Sequence, residues 1–319
     1  MPEGSSAGHL EALAGRLDNL LLRRGCRRDV PLGPLTTYRV GGAASLFVHP
    51  QDRHELAGVA AVSSDFEVPV IVVGRGSNLL VADRGFVGLA VQLGDGFDGV
   101  QVEGAGDDGA TVTAGAGAGL PVVARLTVQS GLSGFEWAVG VPGSIGGAIR
   151  MNAGGHGSDM AAVVAWADVV DLHDGTSRRI GADDLGFGYR RSAITATLIV
   201  VRAGLRLEAG DVADGQALLA EIVRWRRENQ PGGANAGSVF TNPPGDSAGR
   251  LIDLAGAKGL RIGSAEVSSK HANFIQADAG GSADDVLQLM EEVRRRVAEA
   301  HGVVLQPETI LLGFEAVDR

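Results

Sequence analysis

The chain has 319 residues, 45% of them hydrophobic and 21% charged, with a formal net charge of −10 at neutral pH. That length supports two or three domains around a large core, and the acidic balance excludes a nucleic-acid binder, whose phosphate contacts need a basic surface. One cysteine, Cys26, excludes an internal disulfide, the seven histidines lack metal-ligand spacing, and no apolar run nears the roughly 18 residues of a membrane span. The first 30 residues mix charge into an amphipathic helical period and show no signal-peptide pattern, which predicts a cytoplasmic protein. Glycine, at 49 residues, is about twice its usual share and follows no period, so tight turns are expected and repeat arrays are not.

In chain order, HLEALAGRLDNLLLRR predicts an N-terminal helix, residues 44–48 a strand, HELAGVAAVSS a short helix and residues 68–73 a further apolar strand. The loop GRGSN at 74–78 follows, as at the carboxyl end of a strand in a small α/β unit; a plain turn between buried strands is the other reading. Residues 85–116 alternate as short strands, and 120–130 read as a helix. The stretch 131–155, GLSGFEWAVGVPGSIGGAIRMNAGG, combines glycine turns with Phe135, Trp137, Val139, Val141, Ile145, Ile149 and Met151. Glycine lets main-chain N–H groups approach a bound phosphate closely. The large apolar residues argue for a packed ligand-binding segment over a surface linker.

Strands are expected at 163–172 and 198–207, bracketing GYRRSAI at 188–194. Residues 217–228 predict an amphipathic helix, 229–246 a turn-dense segment, and the remainder a helix, a strand at KHANFIQ, a long helix from 284, and a closing strand carrying Glu308. Divisions are placed at 96/97 and 207/208, giving units 1–96, 97–207 and 208–319. Two glycine-rich loops, at 74–78 and 140–147, would then face each other across an extended ligand.

Several side chains could carry chemistry, each with a plainer reading beside it. The guanidinium of Arg190 suits a carboxylate bidentately, or serves as a structural ion-pair partner. Ser238, lacking any GxSxG context, could donate a proton or simply cap a turn. Glu308 could keep its proton near neutrality if buried, or be a solvated edge residue. Lys258 could neutralise a helix end or a phosphate.

Taken together, LTTYRVGG (35–42), GRGSNLLVAD (74–83), GVPGSIGGAIRMNAG (140–154), GYRRS (188–192), GSVFTNP (237–243), AGAKG (255–259), SSKHANF (268–274) and QPETILLG (306–313) resemble the UDP-N-acetylenolpyruvoylglucosamine reductase family, in the family's order and over nearly the whole chain from residue 32. The resemblance implies an α+β protein: two FAD-binding subdomains of the vanillyl-alcohol oxidase type, at 1–96 and 97–207, and a C-terminal α+β substrate domain. It implies NADPH and FAD as cofactors and a UDP-sugar enolpyruvyl ether as substrate, with no nucleic acid and no membrane insertion. NADPH reduces the flavin and leaves; the enolpyruvyl substrate then takes the hydride at C3.

Carried over position by position, the catalytic residues are Arg190 and Glu308, which polarise the carboxylate, and Ser238, which protonates C2. FAD contacts fall on Arg39, Gly74, Arg75, Gly76, Ser77, Asn78, Leu79, Val141, Pro142, Gly143, Ser144, Gly146, Gly147, Asn152 and Gly154. Substrate contacts fall on Tyr189, Asn242, Lys258 and His271. The chain resembles the compact subclass without a tyrosine-bearing insertion. Three departures bear on nucleotide-sugar specificity: His156 where the family more often has tyrosine, Arg150 at a usually apolar place, and Thr241 for a common lysine. A paralogue acting on another enolpyruvyl nucleotide, and a flavin-binding protein without reductase activity, are the alternative readings.

Overall fold

The computed structural model describes residues 3–21, 25–106 and 109–314. Its elements run α1 (Glu3–Leu20), β1 (Arg27–Pro31), β2 (Ala43–Val48), α2 (Arg53–Ser63), β3 (Val70–Val72), β4 (Leu79–Val81), β5 (Phe86–Val91), β6 (Val100–Gly106), β7 (Gly109–Gly115), α3 (Leu120–Gln129) and β8 (Leu132–Ser133). A 3-10 turn at Glu136–Gly140 precedes α4 (Ile145–Met151), then β9 (Gly154–Gly155), β10 (Ser158–Asp159), β11 (Val164–Asp171), β12 (Ser177–Gly181) and β13 (Leu198–Ala209). The chain continues through α5 (Val212–Asn229), α6 (Ala248–Leu254), β14 (Arg261–Ile262), β15 (Ala265–Val267), β16 (Ile275–Ala277), α7 (Ala283–His301) and β17 (Ile310–Leu312).

These elements form two compact units. The first comprises Met1–Arg28, Leu46–Arg75 and Gly88–Arg226; the second comprises Asp29–Ser45, Gly76–Val87 and Arg227–Arg319. The mixed helix and strand content is the α+β class expected from the sequence. Among the described residues no helix is long and apolar enough to cross a membrane, and no group of three or more metal-type side chains could hold an ion.

The first unit is built on an antiparallel sheet of order β12-β11-β13-β7-β6. Side chains alternate across a strand, and β13 uses this twice. Leu198 and Val200 enter the core with α3 and α4, while Ile199 and Val201 enter a second core with α1 and α2. A register shift opposite Asp168 and Val169 moves the first core's set to Ala203, Leu205 and Leu207. Residues on both sides of the expected 96/97 division share the second core: Leu46, Val48, Leu89 and Val91 pack with Val170, Leu172, Ile199 and Val201. That shared core is why contacts gather these segments into one unit.

The second unit places α7 across β14-β15-β16. Val286, Leu289, Met290, Val293 and Val297, at helical spacing, are fully buried beside Leu251 and Ile252 of α6. Asp83 caps α7, accepting from the backbone N–H of Ala283 at 3.0 Å and the hydroxyl of Ser282 at 2.5 Å. β17 pairs in parallel with β4, Ile310 opposite Leu79.

The expected elements are found with local differences, except that the strand expected over KHANFIQ (270–276) begins only at Ile275. The glycine stretch 131–155 contains a helix, α4, because its apolar residues Ile145, Ala148 and Ile149 all point into the core. α5 starts at Val212 rather than 217, and β12, β14 and β15 were too short or too polar to read from alternation. Residues 22–24 of the expected N-terminal helix lie outside the described residues. Glu308 precedes the closing strand instead of lying in it.

The first unit's sheet carries a charge cluster beside α2. The Asp168 carboxylate, 10% exposed, accepts from Arg179 Nε at 2.7 Å, Arg202 Nη2 at 2.8 Å and Arg53 Nη2 at 3.1 Å, and Arg179 stacks on Trp166 at 3.6 Å. Burial acts to raise this carboxyl's pKa, but the hydrogen bonds from the three arginines outweigh it and hold the group well below the usual range. Its stabilisation is therefore present above the unfolded carboxylate range and is lost as pH falls through the folded value. The arginines are half-exposed, so solvent screening reduces the effect. Asp168→Asn should lower unfolding free energy by about 2 kcal/mol at neutral pH, with the gap to wild type narrowing below about pH 4. Denaturant melts across pH check this; a gap that stays constant with pH would show that charge is not what the carboxylate contributes.

Candidate functional site

Three glycine-containing turns converge in the first unit. A Cβ on Gly74 would stand 3.0 Å from Ser144 Oγ, and one on Gly119 would stand 3.1 Å from the Arg75 guanidinium carbon. Gly119 and Ser144 form an antiparallel bridge, and Leu120 N–H donates to Gly143 O at 3.1 Å. The start of GRGSN and the GVPGS loop are thus in direct contact, and Gly76, Ser77, Asn78 and Leu79 belong to the second unit.

The first N–H groups of α4 are already used: Ile145 donates to Ala118 O at 3.0 Å and Gly146 to Ala116 O at 2.8 Å. Gly146 therefore serves close packing, with a Cβ there 3.0 Å from that of Ala116. Other groups at the junction fit a diphosphate-bearing cofactor. Ser144 is the N-cap residue of α4, yet its hydroxyl caps no N–H. The guanidinium of Arg75 supplies positive charge. Trp137, in the 3-10 turn just before the loop, buries an indole N–H that has no hydrogen-bond partner among the described residues. Buried donors of this kind are rarely left unsatisfied in a folded protein.

The same short helix sets Arg190. Asn152, at the C-cap of α4 with φ 41°, donates from Nδ2 to Asp159 Oδ2 at 3.1 Å and to Gly188 O at 3.0 Å, and accepts from Ala161 N–H at 3.0 Å. Its amide is thus a structural tie between α4, the β9–β10 hairpin and the GYRRS segment. Ser192 Oγ donates to Arg150 O at 2.9 Å and ties the other side. Between them, Gly188 and Arg191 exchange backbone hydrogen bonds at 3.0 and 3.2 Å, leaving Tyr189 and Arg190 at the tip of a tight turn. Arg190 takes φ 55°, uncommon for a residue with a Cβ, with its guanidinium 5.4 Å from the Tyr189 ring; Tyr189 is 60% exposed. Such held strain is typical of functional positions.

Ser238 and Glu308 are brought together in the second unit. Glu308 N–H donates to Val239 O at 2.8 Å, so the segment carrying Glu308 runs beside the residue following Ser238. Asn78 fixes the other side, donating from Nδ2 to Glu308 O at 3.0 Å, while Ile310 N–H donates to Asn78 O at 3.0 Å. Below lies Asn273, 3% exposed, which sequence reasoning missed. Its side chain accepts from Phe240 N–H at 3.0 Å and donates to Phe240 O at 2.8 Å, and its carbonyl accepts from Val239 N–H at 2.9 Å. An asparagine amid the apolar residues of KHANFIQ was the available signal, because a buried amide needs partners.

The proposed substrate residues of this unit fall around the same segment. His271 is half-buried and edge-on to Phe274, and its Nδ1 accepts from Asn273 N–H at 3.2 Å, which leaves the neutral ring's proton on Nε2. Burial pushes its pKa down, its own backbone contact pulls the other way, and Lys258 adds to the lowering. Lys258 lies 3.4 Å from Asp253 Oδ2, and Asn242 Oδ1 accepts from Ala248 N–H at 3.0 Å at the start of α6. Arg39, in the second unit, has φ 59°, with its N–H donating to Thr36 Oγ1 at 3.1 Å.

Asn273→Ala should remove two buried hydrogen bonds and lower stability by about 3 kcal/mol. Thermal denaturation checks this, and an undiminished midpoint would show that the amide does not hold the Ser238 segment.

Residues 44–181 match the family model described as FAD binding domain, and residues 229–312 match UDP-N-acetylenolpyruvoylglucosamine reductase, C-terminal domain. The chain is 42% identical to the UDP-N-acetylenolpyruvoylglucosamine reductase of Rubrobacter xylanophilus over 287 residues, covering 89% of this chain and 94% of the relative. It is 45% identical to that of Paramagnetospirillum magneticum, covering 90% and 91%. The crystal structure of the reductase from Thermus caldophilus superposes with a TM-score of 0.78 at 38% identity, covering 90% of this chain and 99% of that one. The chain belongs to the UDP-N-acetylenolpyruvoylglucosamine reductase family.

Proposed function

We propose that the protein is an FAD-dependent reductase that uses NADPH to convert the enolpyruvyl group of UDP-N-acetylglucosamine enolpyruvate to the lactyl ether of UDP-N-acetylmuramate, in peptidoglycan precursor synthesis in the cytoplasm. The observation that carries the reading is the clamp at Val239 that sets the Ser238 and Glu308 segments side by side. Bound FAD supplies the hydride chemistry, held by the turns around Gly74, Gly119 and Ser144, with Arg75 as the cation nearest them.

Addition of hydride at C3 of the enol ether pushes negative charge onto C2 and the adjoining carboxylate. Fixed charge and proton donors at that position lower the barrier. Arg190 suits the carboxylate because its planar fork matches two oxygens, and its turn is pinned by Asn152 and Ser192. Glu308 supports the carboxylate's polarisation. Ser238 delivers the proton to C2, for which a hydroxyl needs no triad. Tyr189, Asn242, Lys258 and His271 bind the nucleotide sugar, Lys258 by charge and His271 by its Nε2 proton.

Anaerobic half-reactions test the assignment. NADPH should bleach the visible flavin band and the enolpyruvyl substrate should restore it; bleaching without restoration would defeat the substrate assignment. Ser238→Ala should leave the first half-reaction intact and slow the second by about 10²–10⁴-fold. Equal slowing of both halves would assign Ser238 to binding or folding instead.

A further inference from the structure

The loop 268–274 closes on itself around one side chain. Ser268 N–H donates to Phe274 O at 2.8 Å, Phe274 N–H to His271 O at 3.0 Å, and Lys270 N–H to Ser268 Oγ at 3.1 Å. For the N–H of Asn273 the acceptor is the imidazole itself, His271 Nδ1 at 3.2 Å. This contact from a side chain to the backbone two residues on has the form of an Asx turn, with a ring nitrogen in place of the carboxamide oxygen. The ring is packed in place. It stands edge-on to Phe274, centroids 4.8 Å apart at 65°, and it faces α6, where a Cβ on Gly249 would stand 3.3 Å from His271 Cε1 and 3.8 Å from Nδ1.

What this bond holds is the residue beneath the clamp. Asn273 is 3% exposed, its side chain pairs with both backbone groups of Phe240, and its carbonyl accepts from Val239 N–H. Val239 O in turn accepts from Glu308 N–H. The contacts therefore run without a gap from the imidazole to Asn273, from Asn273 to residues 239 and 240, and from Val239 to Glu308, with Ser238 the next residue along the chain. Taking the acceptor away leaves a buried N–H unsatisfied, and the loop relieves that cost by opening toward water.

We infer that His271 is a positioning residue for Ser238 and Glu308: its Nδ1, by accepting from Asn273 N–H, holds the asparagine that clamps Val239 and Phe240. The two ring nitrogens then have separate duties, Nδ1 toward the fold and Nε2 toward the nucleotide sugar. Only the second duty, and the kinetic test below, rest on the function proposed above. Two substitutions separate them, because asparagine keeps an acceptor at the level of Nδ1 and glutamine keeps a donor at the level of Nε2.

Hydrogen–deuterium exchange of the full-length protein reads the clamp without any ligand. Peptides covering 238–241 should exchange at least about fivefold faster in His271→Gln than in wild type, while His271→Asn keeps most of the protection. In anaerobic half-reactions at saturating enolpyruvyl substrate, flavin reoxidation should be slower by about tenfold or more in His271→Gln than in His271→Asn, whereas the substrate concentration for half-saturation should be the higher in His271→Asn. Equal protection of 238–241 in the two variants, or equal slowing of reoxidation, would overturn the inference. Should a variant fail to fold, the imidazole nitrogen chemical shifts of the wild type decide: Nδ1 should be bare and Nε2 protonated, and a proton on Nδ1 overturns the proposal. The expected difference in exchange, found in a protein whose flavin the substrate does not reoxidise, would support the positioning role and defeat the proposed function instead.

Discussion

The first unit depends on how α4 is held. Seven residues long, it rises about 10 Å, too short to be stable by its own hydrogen bonds. The carbonyls of Ala116 and Ala118 accept its first N–H groups, and Ile145 and Ile149 are fully buried under it. Because those carbonyls follow β7 directly, the helix is bolted to the sheet, and both of its ends are fixed with it. One end is the GVPGS loop, whose Gly143 carbonyl meets α3; the other is Asn152, whose amide holds Gly188 and hence the turn carrying Arg190. The loop and the turn are thus anchored to the same short helix.

The second unit solves a different problem, which is to give fixed geometry to residues that lie in no helix or strand. Residues 229–246 make only isolated bridges, Ala234 with Ala277 and Phe240 with Pro307. Order comes instead from the buried amide of Asn273, which acts as an artificial ladder partner for Phe240, and from the carbonyl of Val239, which accepts from both neighbouring N–H groups at 308 and 309. Unstructured segments of this length normally cost too much entropy to hold a reacting group in place. Cross-ties to two distant segments offset that cost. The amide's donor and acceptor are both satisfied, so its burial is not penalised.

Much of this was legible in the sequence, for physical reasons that differ by region. α7 and α2 could be read because their apolar residues repeat at helical spacing and a serine or aspartate stands at the N-cap. The glycine-rich loops and the family motifs supplied the candidates for flavin binding and catalysis. α4 was missed because a helix containing two glycines contradicts local propensity, and tertiary packing of Ile145 and Ile149 overrides it. Glu308 was placed in a strand because the apolar run after it extends the pattern backward, whereas ladder pairing starts only at Ile310. The structural duty of Asn152 and Gly146 could not be seen from motif position, since it depends on partners 7 to 36 residues away, and in Gly146's case on a carbonyl of the preceding strand-to-helix connection.

The pairing of β17 with β4 has a consequence for how the molecule comes into being. Asn78 waits for Glu308 across 230 residues of chain. At the usual pace of synthesis of about 5–20 residues per second, the ribosome spends on the order of ten to fifty seconds between making one and making the other. Throughout that interval the early strand has no ladder partner and the clamp at Val239 lacks its second half. The first unit, in contrast, holds all its sheet partners by residue 209 and can fold while the rest is still being translated. Assembly is therefore ordered in time, and the Glu308 backbone that completes the clamp is among the last groups to arrive.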